Sequence, residues 1–346
     1  MPHRRPLATE GPTLAVSIKT GEANLIKRAA WIVTACLIAA TPALAADPWP
    51  ARPVTMILPF PPGISTDILT RAVATALGDA LGQQFVMENR PGANGNIGAA
   101  AAAKAAPDGY TFVVATLGPI VANKFMYKTM AFDSERAFAP VVLLGSSPLI
   151  IVGSPKIPPT NLRELVTYAK SHPGKLNAGT VGHGSQAHIT LELVNKLAGT
   201  SIVHVPYRMA TQALPDLISG DLQVGFNYIP TFVPAVQEGT IRGLAVTSVA
   251  RLSDLPNVPT VDESGFPGFE ASGWNAMFAP AGTPREIIDK VNGIVNAYLK
   301  SDDGKAQLRK LGITPLGGTP EALQAHIDRE RAKWGPIIKE ANISLQ

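Results

Sequence analysis

Ser185 and His188 stand three residues apart in Gly182-His183-Gly184-Ser185-Gln186-Ala187-His188. A hydroxyl beside an imidazole is what nucleophilic catalysis needs, because the base takes the proton as the oxygen attacks. The spacing argues against that use. A nucleophile elbow reads Gly-x-Ser-x-Gly, whereas Ser185 follows Gly184 directly and is followed by Gln186-Ala187. A hydrolase built on Ser185 is therefore the alternative reading. His183 and His188 are five apart, so they do not share a helix face as i,i+4 metal ligands would, and no metal is expected. The glycines suit another task. They let backbone approach a ligand, and Ser185 or Gln186 opens a helix whose first N–H groups attract an anion.

Other loops carry related chemistry. Pro59-Phe60-Pro61-Pro62-Gly63-Ile64-Ser65-Thr66-Asp67 ends in three residues able to cap a helix. Its prolines and glycine set the loop's shape before a ligand arrives, which reduces the ordering cost of binding. Asn89 to Gly98 spaces its glycines GxxGxxG, which is not the GxGxxG dinucleotide fingerprint, and the chain has no Walker A motif. Thr116-Leu117-Gly118-Pro119, with Asn123 beyond, is a third loop able to line a cleft. Val205-Pro206-Tyr207-Arg208 offers a guanidinium for an anionic ligand, with a surface salt bridge as the competing use. Asn227, in Phe226-Asn227-Tyr228, is expected as a polar contact at a strand end.

The elements that would position these loops alternate. Val54 to Leu58 reads as a buried strand ended by Pro59. Ser65 to Leu81 has helical spacing at Ile68, Leu69, Val73, Leu77 and Leu81. Phe85 to Met87, Asn96 to Lys104 and Tyr110 to Thr116 follow as strand, helix and strand. This β-α-β-α-β order predicts a doubly wound, mostly parallel sheet, with ligands at the carboxyl ends of its strands. A second set runs from the helix at 161–171 to the strand at 243–247, without sequence repeat of the first. Val141 to Val152 and Gly273 to Phe278 are apolar stretches that read as two crossover strands between lobes. The division expected is residues 46–145 plus 275–346 for a discontinuous first α/β lobe and 146–274 for the second. A ligand then sits between lobes joined by a two-stranded hinge.

Composition removes several alternatives. The chain has 346 residues, 46% hydrophobic and 16% charged, with 31 Gly and 31 Pro. That is poor in charge and rich in turn formers, yet apolar enough for packed cores, which argues against disorder. Lys27-Arg28 precedes the uncharged run 29–45, which ends Ala43-Leu44-Ala45: a basic region, an apolar region and a small-x-small cleavage pattern. Residues 1–45 thus read as a cleaved signal peptide, with the mature protein in the periplasm. They hold five of the 30 basic and two of the 26 acidic residues, so the formal charge falls from +4 to +1. The case for nucleic acid falls with it. The single Cys, Cys36, lies in this segment. Val33-Thr34-Ala35-Cys36 is also close to a lipobox, so lipid anchoring at Cys36 competes with simple cleavage.

Together these segments resemble one family. Trp49-Pro50-x-Arg52-Pro53-Val54, the PFPPGxSTD loop, NRPGANGNIGA at 89–99 and Pro107-Asp108-Gly109-Tyr110-Thr111 are similar to the substrate-binding proteins of tripartite tricarboxylate transporters, the Bug family. Gly182-x-Gly184-Ser185-x-x-His188, Val205-Pro206-Tyr207-Arg208, Leu214 to Gly220 and Leu255-Pro256-x-Val258-Pro259-Thr260 extend the likeness over nearly all of 47–346. The resemblance implies a two-lobe, Venus-flytrap periplasmic binding protein, monomeric and without cofactor or catalysis. It would capture a small organic carboxylate and deliver it to a membrane permease, or present it to a sensor kinase. Carried over residue by residue, it assigns the carboxylate to Phe60, Pro61, Gly63, Ser65, Thr66 and Asp67, then to Gly184, Ser185 and His188. The residues' own pattern adds Thr116, Gln186, Tyr207 and Asn227. Two positions depart from the family's pattern: Ile64 replaces the usual second glycine of the first loop, and Met209 a glycine after the Tyr-Arg pair. Both add bulk near the cleft.

Overall fold

In the computed structural model, residues 49–345 are described, and the expected export signal and Cys36 lie outside them. The strands are β1 (Val54–Leu58), β2 (Phe85–Asn89), β3 (Thr111–Thr116), β4 (Phe138–Ser147), β5 (Leu149–Gly153), β6 (Asn177–Val181), β7 (Val203–Tyr207), β8 (Val224–Tyr228), β9 (Arg242–Val246), β10 (Gly273–Pro280) and β11 (Thr314–Pro315). The helices are α1 (Ser65–Leu81), α2 (Asn96–Ala103), α3 (Asn123–Met126), α4 (Leu162–Ser171), α5 (Gln186–Ala198), α6 (Ala213–Ser219), α7 (Ile229–Gln237), α8 (Arg285–Lys300), α9 (Asp302–Lys310) and α10 (Pro320–Glu340).

Strand order follows burial. The run Val54-Thr55-Met56-Ile57-Leu58 is almost wholly buried, which suits a strand covered on both faces. β1 accordingly lies inside a six-stranded sheet ordered β11-β4-β10-β3-β1-β2. The second sheet is ordered β7-β6-β8-β5-β9. β2-β1-β3 and β7-β6-β8 are parallel, as the alternation predicts.

The remainder is antiparallel, which corrects the expectation of mostly parallel sheets. β10 runs against both β3 and β4, and β5 against both β8 and β9. The reason lies in the crossings. Only Pro148 separates β4 from β5, so the chain passes straight from one sheet into the other. It returns through residues 247–272 into β10. A strand that enters a sheet without a crossover helix is free of the rule that keeps β-α-β units parallel.

α1 buries Leu69, Val73 and Leu77 against β1 and α8, in a cluster with Met56, Val291 and Val295. Each such side chain contributes about 2 kcal/mol relative to exposure. Gly82, at φ +68°, ends α1 by donating its N–H to Gly78 O. A second apolar cluster continues between the sheets, from Ile57 and Val113 through Leu149 and Trp274 to Phe226 and Leu244. Where a loop was expected after Thr116, Gly118–Ala122 forms one π-helical turn leading into α3. No helix among the described residues is long and apolar enough to cross a membrane.

Candidate functional site

A cavity of about 470 Å³ opens between the two sheets at strand ends, within the size range of small-molecule sites. From the first sheet it is lined by Phe60, Ile64, Ser65, Thr66, Thr116, Leu117 and Gly118. From the second come Val181, Gly184 to Ala187, Asn227, Tyr228 and Thr231. The crossings themselves supply Ser147, Gly273, Trp274 and Asn275.

The loop from β1 to α1 is held from behind by Asp67. Its carboxylate accepts from Gly63 N (2.9 Å), Arg71 Nε (3.0 Å) and Asn89 Nδ2 (3.0 Å), while Asn89 Nδ2 also donates to Phe60 O (3.0 Å). Burial alone would raise the carboxyl's pKa, but the bonds from Arg71, Gly63 and Asn89 outweigh it and hold the group below its usual value. Asp67 is thus occupied within the loop and does not line the cavity. Gly63, at φ +86°, and Pro61 are exposed and outside the lining. What the loop does present is the start of α1. Its N-cap residue, Ile64, offers no side-chain cap, so the first-turn N–H groups near Ser65 and Thr66 face the cavity uncapped. Thr66 Oγ1 donates to Asn275 Oδ1 (2.9 Å), tying α1 to β10.

Asn94 also lines the cavity, from a left-handed backbone at φ +50°, ψ +38°. Its Nδ2 donates to Asn123 Oδ1 (2.8 Å), and Asn123 Nδ2 donates back to Asn94 O (3.0 Å) and to Asn96 Oδ1 (2.7 Å). Asn123 is fully buried, so it positions Asn94 rather than lining the cleft itself.

The second-sheet loop is held by histidines. Ser185 caps α5 by accepting from His188 N (3.2 Å), and His188 Nδ1 accepts from Gly184 N (3.0 Å). His188 stacks on His204 at a ring separation of 3.6 Å and 13°, with His183 4.6 Å away. Thr180 Oγ1 bonds His204 Nε2 (2.7 Å), and Glu192 lies 3.7 Å from His188 Nε2. Burial, then the neighbouring imidazoles, push His188 down to about 3; burial and His183 push His204 down to about 4. His188 and His204 are therefore neutral near pH 7.

This geometry decides two questions. For general-base chemistry His188 would have to face Ser185 Oγ, but its Nδ1 is taken by Gly184, and no hydrogen bond joins Ser185 Oγ to an imidazole among the described residues. For a metal, one nitrogen from each of His183, His188 and His204 lies within 4.8 Å of the others. Gly184 N–H fixes His188 as the Nε2–H tautomer, and stacked rings hold their in-plane lone pairs parallel rather than convergent. The three rings do not fit one cation as they stand.

Of the residues expected to bind, Phe60, Ser65, Thr66, Thr116, Gly184, Ser185, Gln186 and Asn227 come together in the lining. Pro61, Gly63, Asp67, His188 and Tyr207 do not. Tyr207 instead donates from its hydroxyl to Asp216 Oδ2 (2.6 Å), and burial followed by Asp216 pushes it up to about 12. Arg208 is exposed and outside the lining, so it does not supply the cation considered for it. Asn227 is buried with its Oδ1 accepting from Tyr228 N (2.9 Å), and its Nδ2 has no protein partner.

Trp274 and Asn275 were missed, because they lie inside an apolar strand rather than a strand-end loop. Trp274 Nε1 donates to the buried Glu330 Oε2 (3.1 Å), which also accepts from Trp334 Nε1 (2.9 Å). The indole's polar edge is therefore turned away and its ring forms an apolar wall. Asn94 sits between Gly92 and Gly95 of the GxxGxxG loop, and that spacing is the sequence signal for it.

Comparison with known proteins gives one family. The model described as "Tripartite tricarboxylate transporter family receptor" matches residues 69–343. The chain is similar to Protein BugT of Bordetella pertussis, 35% identical over 304 residues, 88% of this chain and 93% of that one. Among solved structures it resembles R. palustris Rpa4515 with adipate, at 38% identity and a TM-score of 0.74, covering 86% of this chain and 99% of that one. It also resembles MatC (Rpa3494) from Rhodopseudomonas palustris with bound malate, at 32% identity and a TM-score of 0.70, covering 84% and 100%.

Proposed function

The chain belongs to the tripartite tricarboxylate transporter receptor family, and from that premise we propose that it captures a small organic carboxylate in the cavity between its sheets. It delivers that acid, unchanged, to the membrane permease of such a transporter. Residues 1–45 act as its export signal, and the mature protein works in the periplasm as a monomer. Residues 46–145 with 275–346 form one lobe and 146–274 the other, and the lobes close on the ligand.

The observation that carries the reading is the set of helix starts. α1 and α5 both begin at residues that line the cavity, one from each sheet. Each brings first-turn backbone N–H groups, at Ser65 and Thr66 and at Gln186 and Ala187, and the positive end of a helix dipole. A carboxylate held there needs no lysine or arginine. Ser65, Thr66, Gln186 and Asn227 are the contacts assigned to it, with Asp67 and His188 holding their loops in place. Adipate in one similar structure and malate in another support an acid as the ligand class.

A thermal-shift screen of organic acids tests this. At 100 times Kd, a ligand adds about 2.7 kcal/mol, or roughly 5 °C in Tm for a chain of this size. A binding acid recovered chemically intact after incubation supports the receptor. Turnover lost on Ser185→Ala would overturn it in favour of the hydrolase.

A further inference from the structure

Among the described residues the cavity lining contains no Asp, Glu, Lys, Arg or His. That bears on how much charge its ligand carries. Every carboxylate moved out of water needs compensation where it lands. Here the compensation comes from neutral donors alone: the helix starts and Asn227 Nδ2, buried and without a protein partner. Partial charges of about half a unit at a helix start suit one or two carboxylates. They do not suit a third, for which the lining offers no full positive charge.

Part of the lining is apolar. Phe60, Leu117 and Ile189 line it with Trp274, whose indole N–H is already taken by Glu330. Thr66 and Ser185 hydroxyls are engaged with Asn275 and with the first turn of α5. We propose that this receptor takes an acid with no more than two carboxylates and a hydrocarbon body packed on Trp274 and Leu117, and that it rejects tricarboxylates. The inference rests on the receptor reading and narrows it.

Matched acids test it by isothermal titration of the mature protein at pH 7.5. Glutarate and tricarballylate share a three-carbon spine and differ by a third, central carboxylate. Glutarate is expected to bind at least 100-fold more tightly. Adipate should exceed succinate by up to about 15-fold, because each buried CH₂ adds about fourfold. Ile64 is exposed at the lining, where a longer side chain can extend into solvent or the cavity mouth. Ile64→Arg, by supplying a cation, should move the tricarballylate-to-glutarate ratio at least tenfold toward the tricarboxylate. Tricarballylate binding as tightly as glutarate would overturn the inference while leaving the receptor reading intact, as would a ratio unmoved by Ile64→Arg. If no acid of any charge binds, both fall.

Discussion

The two loops that bring helix starts to the cavity do the same job with opposite chemistry. On the first sheet, the loop before α1 is clamped by a carboxylate that stays charged: Asp67 receives Gly63, Arg71 and Asn89. On the second, the loop before α5 is clamped by an imidazole that must stay neutral, because His188 Nδ1 accepts from Gly184 N. The difference teaches that neither clamp is there to touch the ligand. Each places backbone N–H groups, and keeps its own charge state out of the cavity.

Removing the charged clamp should have the largest effect. Asp67→Ala leaves Gly63, Asn89 and Arg71 without their shared acceptor, and should cost about 3 kcal/mol in urea unfolding. Ligand affinity should fall at least 100-fold with it. If affinity survived, the first loop's shape would not matter to binding, and the parallel between the loops would break.

Acid separates the two clamps. In the unfolded chain His188 and His204 take up protons below about pH 6.5, whereas in the folded protein they resist until about 3 and 4. The unfolded state therefore binds more protons in between, and stability falls as pH drops from 6.5 toward 4. Asp67, with its pKa lowered, adds a further loss only below its ordinary value near 3.8. The histidine window should be worth several kcal/mol, read by chemical unfolding across pH. His188→Asn, whose Oδ1 can accept from Gly184, should shrink the upper window to the part His204 contributes and spare the lower one. An unchanged profile would remove the histidine clamp from the account.

Smaller effects sharpen the second loop. Gly184 sits at φ +73°, and an added Cβ would meet Leu345 at 2.8 Å and Met126 Sδ at 3.0 Å. Gly184→Ala should cost about 2 kcal/mol of stability, with weaker ligand binding. Ser185→Ala removes the α5 cap and should cost about 1 kcal/mol. It should lower affinity only a few-fold, because the N–H groups remain.

Much of this was legible in the residues. The apolar runs at 54–58 and 149–152 mark buried strands, and the strand-end loops with Phe60, Ser65, Thr66, Ser185 and Asn227 do reach one cavity. What one chain could not reveal was pairing across distance. The antiparallel placement of β10 depends on where the return crossing lands, not on its own apolar pattern. Trp274 reads as core in any strand, and only its bond to Glu330, 56 positions on, turns the ring into a cavity wall. Polar residues next to glycine were legible as loop parts, but whether Asp67 faces ligand or loop is settled by Arg71 and Asn89.

The central claim is that backbone at two helix starts, one from each sheet, holds the anion. Amide ¹H–¹⁵N spectra of the mature protein, titrated with the tightest-binding acid, test it most directly. The account predicts that the N–H signals of Ser65, Thr66, Gln186 and Ala187 move downfield together, with one shared Kd. Shifts confined to one of the two loops, or centred on Arg208 instead, would contradict it.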